Sequence, residues 1–155
     1  MAIDVAIEST IETPPEDVFA TIVDLEAWPT WLIASGIRSV ARGSNGPLAV
    51  GERLVVEQDA AGRSGTFEAT VTALDPGRRL ALRGRDADGV TIEIDALVQP
   101  STGGQGSGTD LRWTVRIGVP LRYRVFESMA RPQVERAALL DIEALRRTLE
   151  RPGED

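Results

Sequence analysis

The chain of 155 residues contains no cysteine, no histidine and no lysine; all 17 basic side chains are arginine. Each absence removes a class of chemistry. Without cysteine there are no disulfides, thiolate metal sites or cysteine nucleophiles. Without histidine the chain lacks the side chain that titrates near neutral pH and the commonest metal ligand. Without lysine there is no amine for a Schiff base, and arginine keeps its proton too firmly to act as a base. Any reaction must use carboxylates, hydroxyls, the single Tyr123 or the reactivity of the ligand itself. No catalytic residue, metal or cofactor is expected.

Positive charge is also short. A net charge of −7 argues against a nucleic-acid surface, where basic side chains supply most of the affinity. No apolar run is long enough to span a bilayer, and the N-terminus lacks a basic stretch followed by an apolar one. The expectation is a soluble, cytoplasmic protein, monomer or homodimer, with a single domain over residues 1–155 that buries a real core.

What is present starts with Ile3, Val5, Ile7 and Ile11, which alternate with Asp4, Glu8, Thr10 and Glu12 as in a half-buried strand. Thr13-Pro14-Pro15-Glu16 then reads as a helix start. Thr13 is placed as N-cap, Pro14 where a missing N–H costs nothing, and Glu16 closes a capping box. Val18, Phe19, Ile22 and Val23 give that helix one apolar face. Asp24 caps a second short helix carrying Trp28 and Trp31, with Pro29 limiting its length.

Six further strands are predicted: Ile37–Arg42, Arg53–Asp59, Thr66–Leu74, Leu80–Gly84, Val90–Val98 and Leu111–Val119. Gly, Pro, Asn and Asp clusters separate them, including an Ala61-Gly62 turn, and the short connections favour an antiparallel meander. The Gly/Ser run 101–108 reads as a long hairpin loop. It lacks the strand–helix context and the lysine of a phosphate-binding loop, and Asp86 and Asp88 read as turn formers.

From Leu121 to Glu150 the pattern is helical, about thirty residues and roughly 45 Å at 1.5 Å per residue. Val134, Ala138, Ile142, Leu145 and Leu149 form one stripe. Leu121, Val125, Phe126 and Met129 lie in another sector, which predicts a kink or irregular turn near Pro132.

Strict alternation sorts the strands into two faces. One collects Leu54, Val56, Gln58, Phe67, Ala69, Val71, Ala73, Leu80, Leu82, Ile92, Ile94, Ala96, Val98, Leu111, Trp113, Val115 and Ile117; the other collects charge, with Asp95 and Arg112 placed to pair. Gln58 is the one clearly polar inward side chain. This inner face reads either as solid core or as the wall of a cavity, and the small residues Ala69, Ala73, Gly84 and Ala96 favour left-over space. The candidate ligand-binding set is Trp31, Gln58, Phe67, Val71, Leu82, Ile94, Trp113, Val115, Phe126 and Met129. Gln58 either orients a ligand carbonyl or hydroxyl or meets water at a strand end. Tyr123 is a hydrogen-bond donor at the mouth or a surface residue. Arg122, Arg124 and Arg131 either attract an acidic head group or form a solvated helix face.

These parts together resemble the START-like, or SRPBCC, superfamily, which includes birch-pollen-allergen-like proteins and the polyketide cyclase/dehydrase group. The resemblance covers nearly the whole chain. It is carried by Thr13–Phe19, by Asp24 with Trp28-Pro29-Thr30-Trp31, by Val50-Gly51 opening a strand, and by Asp141–Glu150. It implies an α+β helix-grip fold: a curved antiparallel sheet of about seven strands wrapped around a long C-terminal helix, with two short helices after the first strand. It also implies an apolar cavity between sheet and helix for a lipid, polyketide or aromatic ligand. The first expectation is therefore a hydrophobic small-molecule binder. The alternative is a polyketide cyclase, aromatase or dehydratase acting by substrate positioning, and a third possibility is a protein-interaction surface. Membership alone assigns no activity.

Overall fold

The computed structural model describes residues 2–60, 63–101 and 108–150; the Ala61-Gly62 turn and residues 102–107 lie outside them. Strands β1 (Ala2–Ile11), β2 (Ile37–Arg42), β3 (Arg53–Ala60), β4 (Arg63–Asp75), β5 (Arg79–Arg85), β6 (Thr91–Pro100) and β7 (Thr109–Gly118) form one curved antiparallel sheet. Their order is β1-β7-β6-β5-β4-β3-β2. Every neighbour after the first is a hairpin neighbour; only the β1–β7 pairing joins distant parts of the sequence. The long hairpin is closed where it was expected, with Pro100 opposite Thr109 and the Ser101 N–H donating to the Gly108 carbonyl at 2.9 Å.

Helix α1 (Pro15–Val23) and a 3-10 turn (Leu25–Thr30) follow β1. The capping differs from the sequence expectation by one residue. Pro14 is the N-cap and Pro15 the first helical residue, and neither this helix nor the turn after Asp24 has a side-chain cap. Thr13 is free for another task because the Pro-Pro pair fixes the backbone by itself. Its hydroxyl donates to the Leu149 carbonyl at 2.9 Å, while its own carbonyl accepts from the buried Thr109 hydroxyl at 2.6 Å.

A second 3-10 segment (Leu121–Phe126) leads into α2 (Glu127–Glu150). The expected irregularity is there, displaced towards the N-terminus: 3-10 geometry gives way to α-helix between Phe126 and Glu127, and Pro132 lies within α2. At the sixth helical residue this proline removes one main-chain hydrogen bond, which the long helix tolerates. Among the described residues no helix is long and apolar enough to cross a membrane.

Two register shifts interrupt the strand pairs, one between Ile37 and Ser39 in the β2–β3 pair and one between β4 and β5. Between Val71 and Ala73 the β4–β5 register shifts, so Ala73 pairs with Ala81 and Leu74 with Leu80. Ala73, expected inward, takes the outer face, and Leu74 packs against the core instead. A bulge of this kind inserts one residue and reverses the phase beyond it. On the outer face Asp95 pairs with Arg79 in a two-pronged contact (2.7 and 3.0 Å), not with the expected Arg112. Arg79 lies on the adjacent strand β5, where the planar guanidinium meets both carboxylate oxygens.

Candidate functional site

The strands carry their apolar face across two different environments. Where α1 and the first 3-10 turn cover the sheet, Val18, Ile22, Leu25 and Trp28 share one buried apolar cluster with Leu80, Ala96, Val98, Leu111 and Trp113. Trp28, Trp31 and Trp113 form a mutual edge-to-face cluster with centroids 5.4–6.1 Å apart, the arrangement ring quadrupoles prefer. Trp28 donates its indole N–H to the Ile22 carbonyl at 2.8 Å. The Trp31 Nε1 is buried without a hydrogen-bond partner among the described residues.

Beyond this cluster the sheet and α2 diverge around a cavity of about 480 Å³. Its floor is Phe67, Ile92, Ile94, Trp113, Val115 and Ile117 from β4, β6 and β7, and its roof is Ala130, Gln133, Val134, Ala137 and Ala138 from α2. The segment Leu32–Ile37 and the end of β3, with Gln58 and Asp59, form one side; Asp86 and Val90 stand on the other. A smaller void of about 30 Å³ lies between Trp28, Ala69, Leu82 and Gly84, and it shares Gln58, Phe67, Ile92 and Ile94 with the larger one.

The wall segment is held from two directions. Asp141 of α2, only 1% exposed, accepts the backbone N–H groups of Ala34 (2.7 Å) and Ser35 (3.0 Å). From β3, Gln58 Nε2 donates to the Ser35 carbonyl at 2.7 Å. Burial pushes the Asp141 carboxyl above its ordinary range, against the opposing pull of the Ser35 and Ala34 hydrogen bonds. Gly36 completes the turn at φ +77°, where a Cβ would lie 1.7 Å from the Asp59 carbonyl oxygen. Only glycine fits there. The Asp59 N–H in turn donates to the Gly36 carbonyl at 2.8 Å.

The family described as polyketide cyclase / dehydrase and lipid transport matches residues 2–150. The chain belongs to that family. This polyketide cyclase/dehydrase-family chain also shares its START-like fold with solved structures. It is similar to the Zhui aromatase/cyclase from a Streptomyces species, at 18% identity and TM-score 0.76, covering 97% of this chain and 95% of that one. A START superfamily protein from Mycobacterium smegmatis aligns at 18% identity and TM-score 0.76, covering 95% and 97%. A Deinococcus radiodurans protein aligns at 25% identity and TM-score 0.65, covering 95% and 97%. No curated protein matches the chain. Membership of this family supports a ligand-binding or cyclase role.

Of the residues singled out in the sequence, Gln58, Phe67, Ile94, Trp113 and Val115 line the large cavity. Leu82 borders the small void. Val71 is fully buried in the core, and Trp31 stands behind Trp113 in the aromatic cluster. Met129 is 69% exposed; on α2 the lining positions begin one residue later, at Ala130. The Phe126 and Arg124 side chains lie outside the described part of the structure. Tyr123 is half-buried under the Arg122 guanidinium, 4.9 Å from the ring centroid. Arg131 points towards the carbonyls of Ala2 and Asp4, 3.4 Å away.

Sequence reasoning missed the whole Leu32–Gly36 wall and its anchor Asp141. A signal for Asp141 existed. It falls three residues after Ala138 and four before Leu145, inside the apolar stripe of the helix, where a carboxylate needs buried partners.

Proposed function

We propose that this protein binds a hydrophobic small molecule, a lipid, polyketide or aromatic compound, in the space between the sheet and α2. The observation that carries this reading is the 480 Å³ cavity with a largely aliphatic and aromatic wall, within the roughly 300–1,000 Å³ typical of small-ligand sites. Each ligand CH₂ buried there contributes about 0.8 kcal/mol before ordering costs. The candidate contacts are Gln58, Phe67, Ile94, Trp113 and Val115, joined by Ile92, Ile117, Val134 and Ala137 from the same wall.

The family description also supports a second reading, a cyclase that folds a reactive chain and lets its own acidic protons do much of the chemistry. The fold likeness to an aromatase/cyclase favours keeping it. The wall's charged side chains are Asp59 and Asp86, and both are tied into local hydrogen bonds. Positioning is thus the larger part of what this wall can offer a substrate.

Native mass spectrometry of freshly purified protein tests the first reading, with a copurified small molecule as the expected result. Absence of any adduct, together with no calorimetric binding across a panel of apolar compounds, would reject it. Turnover of a poly-β-ketone, slowed by Gln58→Ala, would establish the second.

A further inference from the structure

The charged side chains on the described cavity wall, Asp59 and Asp86, are both acidic, and its side-chain amides are Gln58 and Gln133. Gln58 spends its Nε2 on the Ser35 carbonyl. That bond fixes which way the amide faces and leaves Oε1 as an acceptor without a partner among the described residues. The backbone N–H groups of Ala34 and Ser35 are likewise spent, on Asp141. Asp86 and Asp59 add carboxylates, Asp86 Oδ1 accepting the N–H groups of Asp88 and Val90 at 2.9 Å each. Among the described lining residues both charges are negative and none is an arginine. The arginines joined to these turns are engaged outside the lining. Arg38 pairs with Asp59 (3.1 Å) and Glu57 (3.5 Å), and Arg122 donates to the Asp88 carbonyl.

We infer that the cavity selects uncharged apolar molecules bearing a hydroxyl or N–H that donates to Gln58 Oε1, and rejects their carboxylate counterparts. This rests on the ligand-binding reading and narrows it. A carboxylate entering the cavity would lose its water and meet no cation on the described wall, only the Gln58 and Gln133 amides and two carboxylates. A hydroxyl would satisfy the open acceptor on Gln58 without carrying charge. Gln58 is suited to this role because it borders both the large cavity and the small void, so a donor that reaches it has its apolar body among Phe67, Ile92 and Ile94.

Isothermal titration calorimetry at pH 7.5 with 2-naphthol, 2-methylnaphthalene and 2-naphthoate tests the inference, since the three share one ring system. The naphthol should bind about three- to tenfold more tightly than the methyl compound, and on the order of a hundredfold more tightly than the naphthoate. In Gln58→Met the naphthol and the methyl compound should converge, and retained binding of the methyl compound will show that the cavity is intact. Should the variant lose that binding too, the wild-type series decides alone. Naphthoate binding as tightly as naphthol, or naphthol no tighter than the methyl compound, overturns the inference while leaving the ligand-binding reading in place. No binding by any of the three or by a wider apolar panel removes both.

Discussion

The two ends of the sheet use the same kind of strand to opposite effect. On β7, Leu111 and Trp113 are sealed at 2% and 1% exposure, while Ile117 further along the same face is only partly buried; on β6, Val98 and Ala96 are sealed and Ile92 and Ile94 are not. Helix α2 is divided in the same way. Ala138, Ile142 and Leu145 are buried, whereas the turns around Met129 to Arg136 are largely exposed or half-buried. What differs is the covering layer. At one end α1 and the turn after it supply bulk, with Trp28 and Trp31; at the other α2 presents Ala130, Val134 and Ala137. Alternation of apolar residues specifies an inner face, and the volume of the opposing side chains decides whether that face becomes core or container.

Truncation should separate the two ends most sharply. Leu145→Ala, at the sealed end, is expected to cost about 2–5 kcal/mol, because the atoms removed leave a cavity among fixed neighbours. Ile94→Ala, on a wall that already faces space, should cost about 1–2 kcal/mol. Urea unfolding of both variants makes the comparison, and equal costs would erase the distinction. Gly36→Ala should cost at least about 2 kcal/mol, since it combines a strained φ with a backbone clash at Asp59, and it should also abolish ligand binding by displacing the wall.

Asp141→Asn is expected to cost about 1 kcal/mol at neutral pH. The amide keeps one acceptor but turns an N–H₂ group towards the second backbone N–H, a loss offset in part by removing a desolvated charge. Its pH dependence has a definite sign. The folded-state value is raised above the unfolded 3.8, so the folded protein holds this proton more tightly than the unfolded chain does. Wild type should therefore gain stability relative to Asp141→Asn as the pH falls through the raised value, with the gain complete below 3.8, and lose it again on titration upward. Thermal melts of the pair between acid and neutral pH read the difference. The smallest stability effect belongs to Ala137→Leu, within about 1 kcal/mol of wild type because it grows into open volume. Its ligand affinity should nonetheless fall at least tenfold by calorimetry.

Much of this architecture was legible in the residues. β2 was placed at Ile37–Arg42 with the Gly43–Pro47 run as its stop, and the other strands within a few residues. The cavity's origin was less legible. Ala96 lies opposite Trp113 across β6 and β7 and makes room for the indole, while Ala69 and Gly84 face each other beside the 30 Å³ void. Ala73 lies outside altogether, because a bulge leaves no mark in a composition of Thr, Ala and Leu. The large space comes from alanines on α2, which helical periodicity marks as apolar without saying what lies across from them. The Leu32–Gly36 wall depends on Asp141, more than a hundred residues away in the chain, a distance no local pattern bridges.

The clustering of all three indoles has a practical corollary. Trp113 forms part of the cavity floor and touches both Trp28 and Trp31, so every tryptophan in the protein sits within one or two ring contacts of an incoming guest. Intrinsic emission is thereby a built-in, label-free gauge of occupancy, concentrated at one spot and undiluted by distant fluorophores.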